Sequence, residues 1–131
     1  MSRSVFSQWT AFQKATELAN AIFQVSLQFP REERYSLTDQ IRRSSRSVCA
    51  NMAEASAKRR YGKNWVSKLT DCAAEAAETQ VWLSFAHTYA DIDRETYEKL
   101  ISLNEEVAKL ISYMIANPKR FGAVSLYQRN L

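Results

Sequence analysis

Asp71, Glu75 and Glu78 fall four and three residues apart. This spacing stacks carboxylates on one face of a helix and could hold a metal ion. Carboxylate di-iron bundles, however, draw a Glu-x-x-His pair from each of two helices. The single histidine, His87, has Ser84 three residues before it, so that motif is absent. His87 also has no identifiable nucleophile or orienting partner, as a catalytic base would need. Two glycines in the whole chain exclude a glycine-rich phosphate loop. No catalytic residue, cofactor or metal is therefore expected. The three acids are expected to pair with basic residues of a neighbouring helix or another subunit. Cys49 and Cys72 are distant in sequence and read as small apolar residues kept reduced.

The basic residues carry more information. Residues 31–70 hold ten basic and four acidic side chains, whereas residues 71–117 hold three basic and nine acidic. Such polarity within one chain points to an anionic partner or to contact between copies. Lys58, Arg59, Arg60, Lys63 and Lys68 cluster around one turn, with Tyr61 and Trp65 interleaved. Cations beside aromatic faces can hold phosphates and stack unpaired bases, so these residues, with Arg46, are candidates for nucleic-acid contact. A solubilising charged face is the alternative, with Trp65 as core. Arg42 and Arg43 are expected to pair with Glu54, Glu75 or Glu78, fixing helix register more than adding stability, with contact to phosphate as the alternative.

Four helices must position these groups, and the spacing of apolar residues predicts them at about 7–29, 37–58, 63–90 and 94–116. The first carries Trp9, Phe12, Ala15, Leu18, Ile22, Val25 and Phe29 at steps of three and four, and Pro30 ends it. Ser36 is the expected cap of the second, with Asp39 three residues on. The second helix's inner seam reads Leu37, Ile41, Ser44, Val48, Asn51 and Ala55, half of it small or polar. Gly62 is the expected break before a heptad of Trp65, Leu69, Cys72, Ala76, Thr79, Leu83, Ala86 and Ala90. Trp82, Phe85 and Tyr89 form a second line that suggests self-association. Asp93 should cap the fourth helix, which turns Tyr97, Leu100, Asn104, Val107, Ile111 and Met114 inward and stops at Asn117-Pro118.

A chain of 131 residues with so little glycine and proline is expected to be all-α, an antiparallel up-down four-helix bundle over residues 1–117. Residues 118–131 form a tail without periodicity. Neither a secretory signal nor a membrane-length apolar run is apparent, so a cytoplasmic protein is expected.

The stretch Ile41-Arg42-Arg43-Ser44-Ser45-Arg46-Ser47-Val48-Cys49-Ala50-Asn51-Met52-Ala53-Glu54-Ala55 resembles a known signature. So do Phe29-Pro30-Arg31-Glu32-Glu33-Arg34-Tyr35-Ser36-Leu37-Thr38 and Glu75-Ala76-Ala77-Glu78-Thr79-Gln80-Val81-Trp82-Leu83. All three resemble the bacterial four-helix bundle family named for proteins encoded in 23S ribosomal RNA intervening sequences. Cys49 and Ala50 stand where that family commonly has Pro-Ser, and Ala55 where it usually has Gly. The resemblance implies a ring-like homo-oligomer, a pentamer. It also implies kinship with the accessory variability determinant proteins of diversity-generating retroelements, which bind nucleic acid and associate with a reverse transcriptase. Arg42, Arg43, Ser47, Asn51, Glu54, Glu75 and Glu78 match its motifs and are expected to form a structural polar network. The expected function is a non-enzymatic homo-oligomer that contacts RNA or DNA through Arg59, Arg60, Lys63 and Lys68, joined by Lys119 and Arg120. The alternatives are a protein adaptor docking a larger nucleic-acid enzyme such as a reverse transcriptase, and a purely structural bundle.

Overall fold

The computed structural model of the chain describes residues 5–126. It contains four α-helices, α1 Thr10–Ser26, α2 Leu37–Ala57, α3 Gly62–Thr88 and α4 Arg94–Ala116, and no strand among the described residues. Each helix packs against two others, in the order α1, α2, α3, α4 and back to α1. None of the four is long and apolar enough to cross a membrane.

The helical spacing of apolar residues translates into two core clusters. Trp9, Ala15, Val48, Met52, Trp65, Leu69, Val107 and Ile111 belong to one. Leu18, Ile22, Phe29, Leu37, Ile41, Leu83, Ile92 and Leu100 belong to the other. Ile22, Ile41, Leu69 and Leu83 are fully enclosed, and burying such a side chain contributes roughly 1.5–3 kcal/mol. Ala55 is fully buried too.

Several boundaries depart from the expectation, each for a local reason. The first helix is shorter than 7–29. Val5–Gln8 is a separate 3-10 turn, and after Ser26 the chain tightens. There the amides of Leu27, Gln28 and Phe29 bond to carbonyls three residues back. Pro30 bars helical geometry at Phe29, and a tightened last turn satisfies the freed carbonyls. Ser36 does not cap α2. Its hydroxyl donates instead to Glu33 Oε1 at 2.7 Å, with φ −128° and ψ −100°.

Asn51 does not join the buried seam. Its Nδ2 donates to Ser47 O and Oγ one turn back, at 3.0 and 3.1 Å, and Met52 takes the interior position. Four residues separate Val48 from Met52 because the helix drifts from a strict seven-residue repeat. Ala90 also leaves its heptad position. It is exposed at φ 60°, beyond the end of α3. Ala90 N–H bonds to His87 O and Asp91 N–H to Ala86 O, closing the helix with the left-handed residue that glycine usually supplies.

Asp93 does cap α4, its Oδ1 accepting the Thr96 N–H at 2.7 Å. The expected tail is part of the fold as far as residue 126; residues 127–131 lie outside the described residues, as do residues 1–4. Phe121 packs edge-on against Trp9 and Tyr113 and beside Trp65. Ala123 is buried, and the Val124 N–H bonds to Arg59 O at 2.9 Å. Gly62 is the first residue of α3 rather than a break. A Cβ there would meet Val124 O at 3.1 Å and Leu126 backbone at 3.2 Å, so glycine admits the returning chain.

Candidate functional site

α2 and α3 meet along a polar seam that consumes most of the expected network. Ser44 and Thr79, both buried, share a hydrogen bond of 2.8 Å, and Thr79 also donates to Glu75 O at 2.9 Å. Thr79's proton is thereby committed, so Ser44 donates to Thr79. Cys72 Sγ donates to Val48 O at 3.4 Å. At the seam's rim Arg43 reaches Glu78 and, at 3.4 Å, Glu75. The hydrogen bonds it donates to Glu78 and then Glu75 raise the pKa of the Arg43 guanidinium above its ordinary value. Lower down, Lys68 bridges Glu54 at 2.6 Å and Asp71 at 3.8 Å. That contact holds the Glu54 carboxyl below, and the Lys68 ammonium above, their usual ranges.

The expected network is thus three separate groups: Arg43 with Glu75 and Glu78, Lys68 with Glu54 and Asp71, and Ser47 with Asn51. The three carboxylates read as a possible metal set each face a cation. His87 lies stacked on Tyr97 with ring centroids 4.4 Å apart. Burial pushes the Cys49 thiol up, and that of Cys72 up to about 12, so neither is a thiolate at neutral pH. Both cysteines are free.

The turn between α2 and α3 divides its cations. Arg59 is occupied inside the chain. Its Nε donates to Ser56 O at 2.9 Å and its NH1 to Phe121 O at 3.3 Å, tying the C-terminal segment down. Lys68 is spent on Glu54 and Asp71 as described. Arg60 and Lys63 are exposed, Lys58 half-buried, and none forms an ion pair among the described residues. The returning chain brings exposed Lys119 and Arg120, the latter over the Tyr113 ring at 5.9 Å. Tyr61, 63% exposed, stands among them.

A second basic surface was not foreseen as a unit. Arg34, Thr38, Asp39, Arg42, Arg43, Arg46 and Ser47 line a depression of about 580 Å³. A neighbouring one of about 410 Å³ adds Arg31 and shares Arg34, Thr38 and Arg42. Arg42 pairs with no carboxylate among the described residues, contrary to the expectation. Its Nε donates to Ser26 Oγ at 2.7 Å, and its guanidinium lies over the Phe23 ring at 4.7 Å. Arg46 lies over the same ring at 5.7 Å. The signal is in the sequence: Thr38, Arg42 and Arg46 recur every fourth residue, the spacing of one face of α2, and Arg34 precedes them in the turn that leads into it.

The four-helix fold is similar to the crystal structure of a protein of unknown function from the S23 ribosomal protein family of Bacteroides thetaiotaomicron VPI-5482. The TM-score is 0.74 and the sequence identity 29%, over 81% of this chain and 98% of that one. No curated protein matches the chain. The family model of the 23S rRNA-intervening sequence protein matches residues 7–113, from the turn before α1 into the last turns of α4. With α1, α2, α3 and most of α4 inside that match, the chain belongs to the 23S rRNA-intervening sequence protein family.

Proposed function

We propose that this protein is a non-enzymatic, homo-oligomeric up-down bundle that binds RNA or DNA through the cations at the α2–α3 turn. The observation that carries the reading is that Arg60 and Lys63, flanking exposed Tyr61 in the turn, and Lys119 and Arg120, on the segment that Arg59 ties back to that turn, are exposed with no carboxylate paired to any of them among the described residues. Unneutralised cations release counterions from a phosphate backbone, and a tyrosine face stacks a base without reading its identity. The family takes its name from ribosomal RNA, which makes structured RNA the first strand to test. Assembly is supported by the apolar surface of α3. Phe85 is 41% and Tyr89 58% exposed, and with Trp82, Tyr35 and Leu37 they line one groove. Such a patch marks an interface more often than open surface.

Fluorescence anisotropy with structured RNA at two salt concentrations tests the binding. The logarithm of the affinity should fall steeply with the logarithm of salt. The triple variant Arg60→Ala, Lys63→Ala, Lys119→Ala should flatten the slope by roughly two to three, at about 0.7–0.9 per phosphate contact. An absence of binding at low salt would end the reading.

A further inference from the structure

We propose that the arginine depression along α2 and the turn before it is a separate site for one phosphomonoester group. Three observations support it. The first is charge: Arg34, Arg42 and Arg46 line the depression with no ion-pair partner among the described residues. Arg43 also lines it but is already neutralised by Glu75 and Glu78. Against the three free cations stands one carboxylate, Asp39. The excess of two positive charges matches a phosphomonoester, about −1.5 to −2 at neutral pH, better than a singly charged phosphodiester.

The second observation is preorganisation. Arg42 and Arg46 lie one helical turn apart, where like charges repel. Phe23 nevertheless holds both guanidiniums over one ring, and Ser26 fixes Arg42 through its Nε. Both devices orient the arginines while leaving their outer N–H groups unspent, the fork geometry that binds phosphate oxygens.

The third is an orphaned hydroxyl. Thr38 is 7% exposed, its Oγ1 has no hydrogen-bond partner among the described residues, and it lines both depressions. A buried hydroxyl without a partner is costly, and a bound phosphate oxygen would supply one. Ser47 completes the lining. Its oxygen accepts from Asn51, which leaves its own proton to donate.

The ligand could be a free mononucleotide or the phosphorylated end of a strand, and the site needs neither Arg60 nor Lys63. Calorimetry on the full chain with adenosine 5′-monophosphate, adenosine and inorganic phosphate tests the shared chemistry. Short RNAs with a 5′-phosphate or a 5′-hydroxyl distinguish the two sources. The monophosphate or the 5′-phosphorylated RNA should bind at least tenfold more tightly than its unphosphorylated counterpart. Arg46→Ala and Arg34→Ala should each abolish that preference with the thermal midpoint unchanged. The triple variant at the α2–α3 turn should keep it, even if strand binding itself is lost. Equal binding of phosphorylated and unphosphorylated probes, or a preference that survives both arginine variants, would overturn the proposal.

Discussion

Arg42 and Arg43 are adjacent in sequence and opposite in fate. Adjacent helical residues point about 100° apart. Arg43 therefore turns toward α3, where Glu75 and Glu78 absorb its charge. Arg42 turns toward α1, where a serine hydroxyl and a phenyl ring hold it without neutralising it. One face of α2 completes its electrostatics within the chain, and the other leaves them open. A cation-rich stretch is thus not one patch. What matters is which neighbouring helix carries the acids: α3 has Asp71, Glu75 and Glu78, whereas α1 has only Glu17.

The sharpest way to break the comparison lies in the closed face. Thr79→Val leaves the buried Ser44 hydroxyl with only Ile41 O, at 3.4 Å. Orphaning such a group should cost about 1–3 kcal/mol, read by urea denaturation. The double variant Ser44→Ala, Thr79→Val should cost less than the two single changes together. Additive costs would mean that the pair is not a unit.

On the open face, Arg46→Ala should lower phosphomonoester affinity tenfold or more, about 1.4 kcal/mol, and leave stability within error. Arg43→Ala should do the reverse. Phosphate binding should be unchanged, and stability should fall by about 0.2–1 kcal/mol, less at high salt, because its pairs are partly exposed.

A smaller version of the same division sits in the α3–α4 turn. The backbone hydrogen bond from Thr96 holds Asp93 below the ordinary carboxylate range. Its contribution is present above that range and is lost as pH falls through the folded value. Burial, helped by Glu33 and Glu32, raises Asp91, and one of its oxygens is buried without a partner. Its sign is opposite: the charged form strains the fold once pH rises above the folded value. Asp93→Asn should lower the melting temperature by a few degrees at pH 7 and by less in acid. Asp91→Asn should raise it at pH 7, with the gain vanishing in acid. Ala90→Gly, nearby, should stabilise by about 0.5–1 kcal/mol by relieving its φ of 60°.

Much of the closed face was legible in the sequence. Leu37, Ile41, Ser44 and Val48 opposite Leu69, Cys72, Ala76 and Thr79 follow from helical spacing, and burial enforces that spacing. Positions set by a single hydrogen bond or by chain ends were not legible. Ser36 met Glu33 before it could cap, and Asn51 found Ser47 on its own helix. Ala90 took a left-handed turn that composition assigns to glycine. The chain after Asn117 has no periodicity because it packs through isolated residues, Phe121 and Ala123, and a backbone bond to Arg59 rather than along a face. The open face was written in the four-residue spacing of Thr38, Arg42 and Arg46, with Arg34 in the turn before them. Its meaning depended on Phe23 and Ser26 of α1 standing opposite, and those are contacts that spacing along α2 alone does not contain.

The most direct test is an NMR titration of the arginine side-chain Nε–H signals with adenosine 5′-monophosphate. The Arg42 and Arg46 signals should shift and saturate together, while that of Arg43, held by Glu75 and Glu78, stays in place. Movement of Arg43 with Arg42 and Arg46 silent would contradict the division of α2 into a closed and an open face.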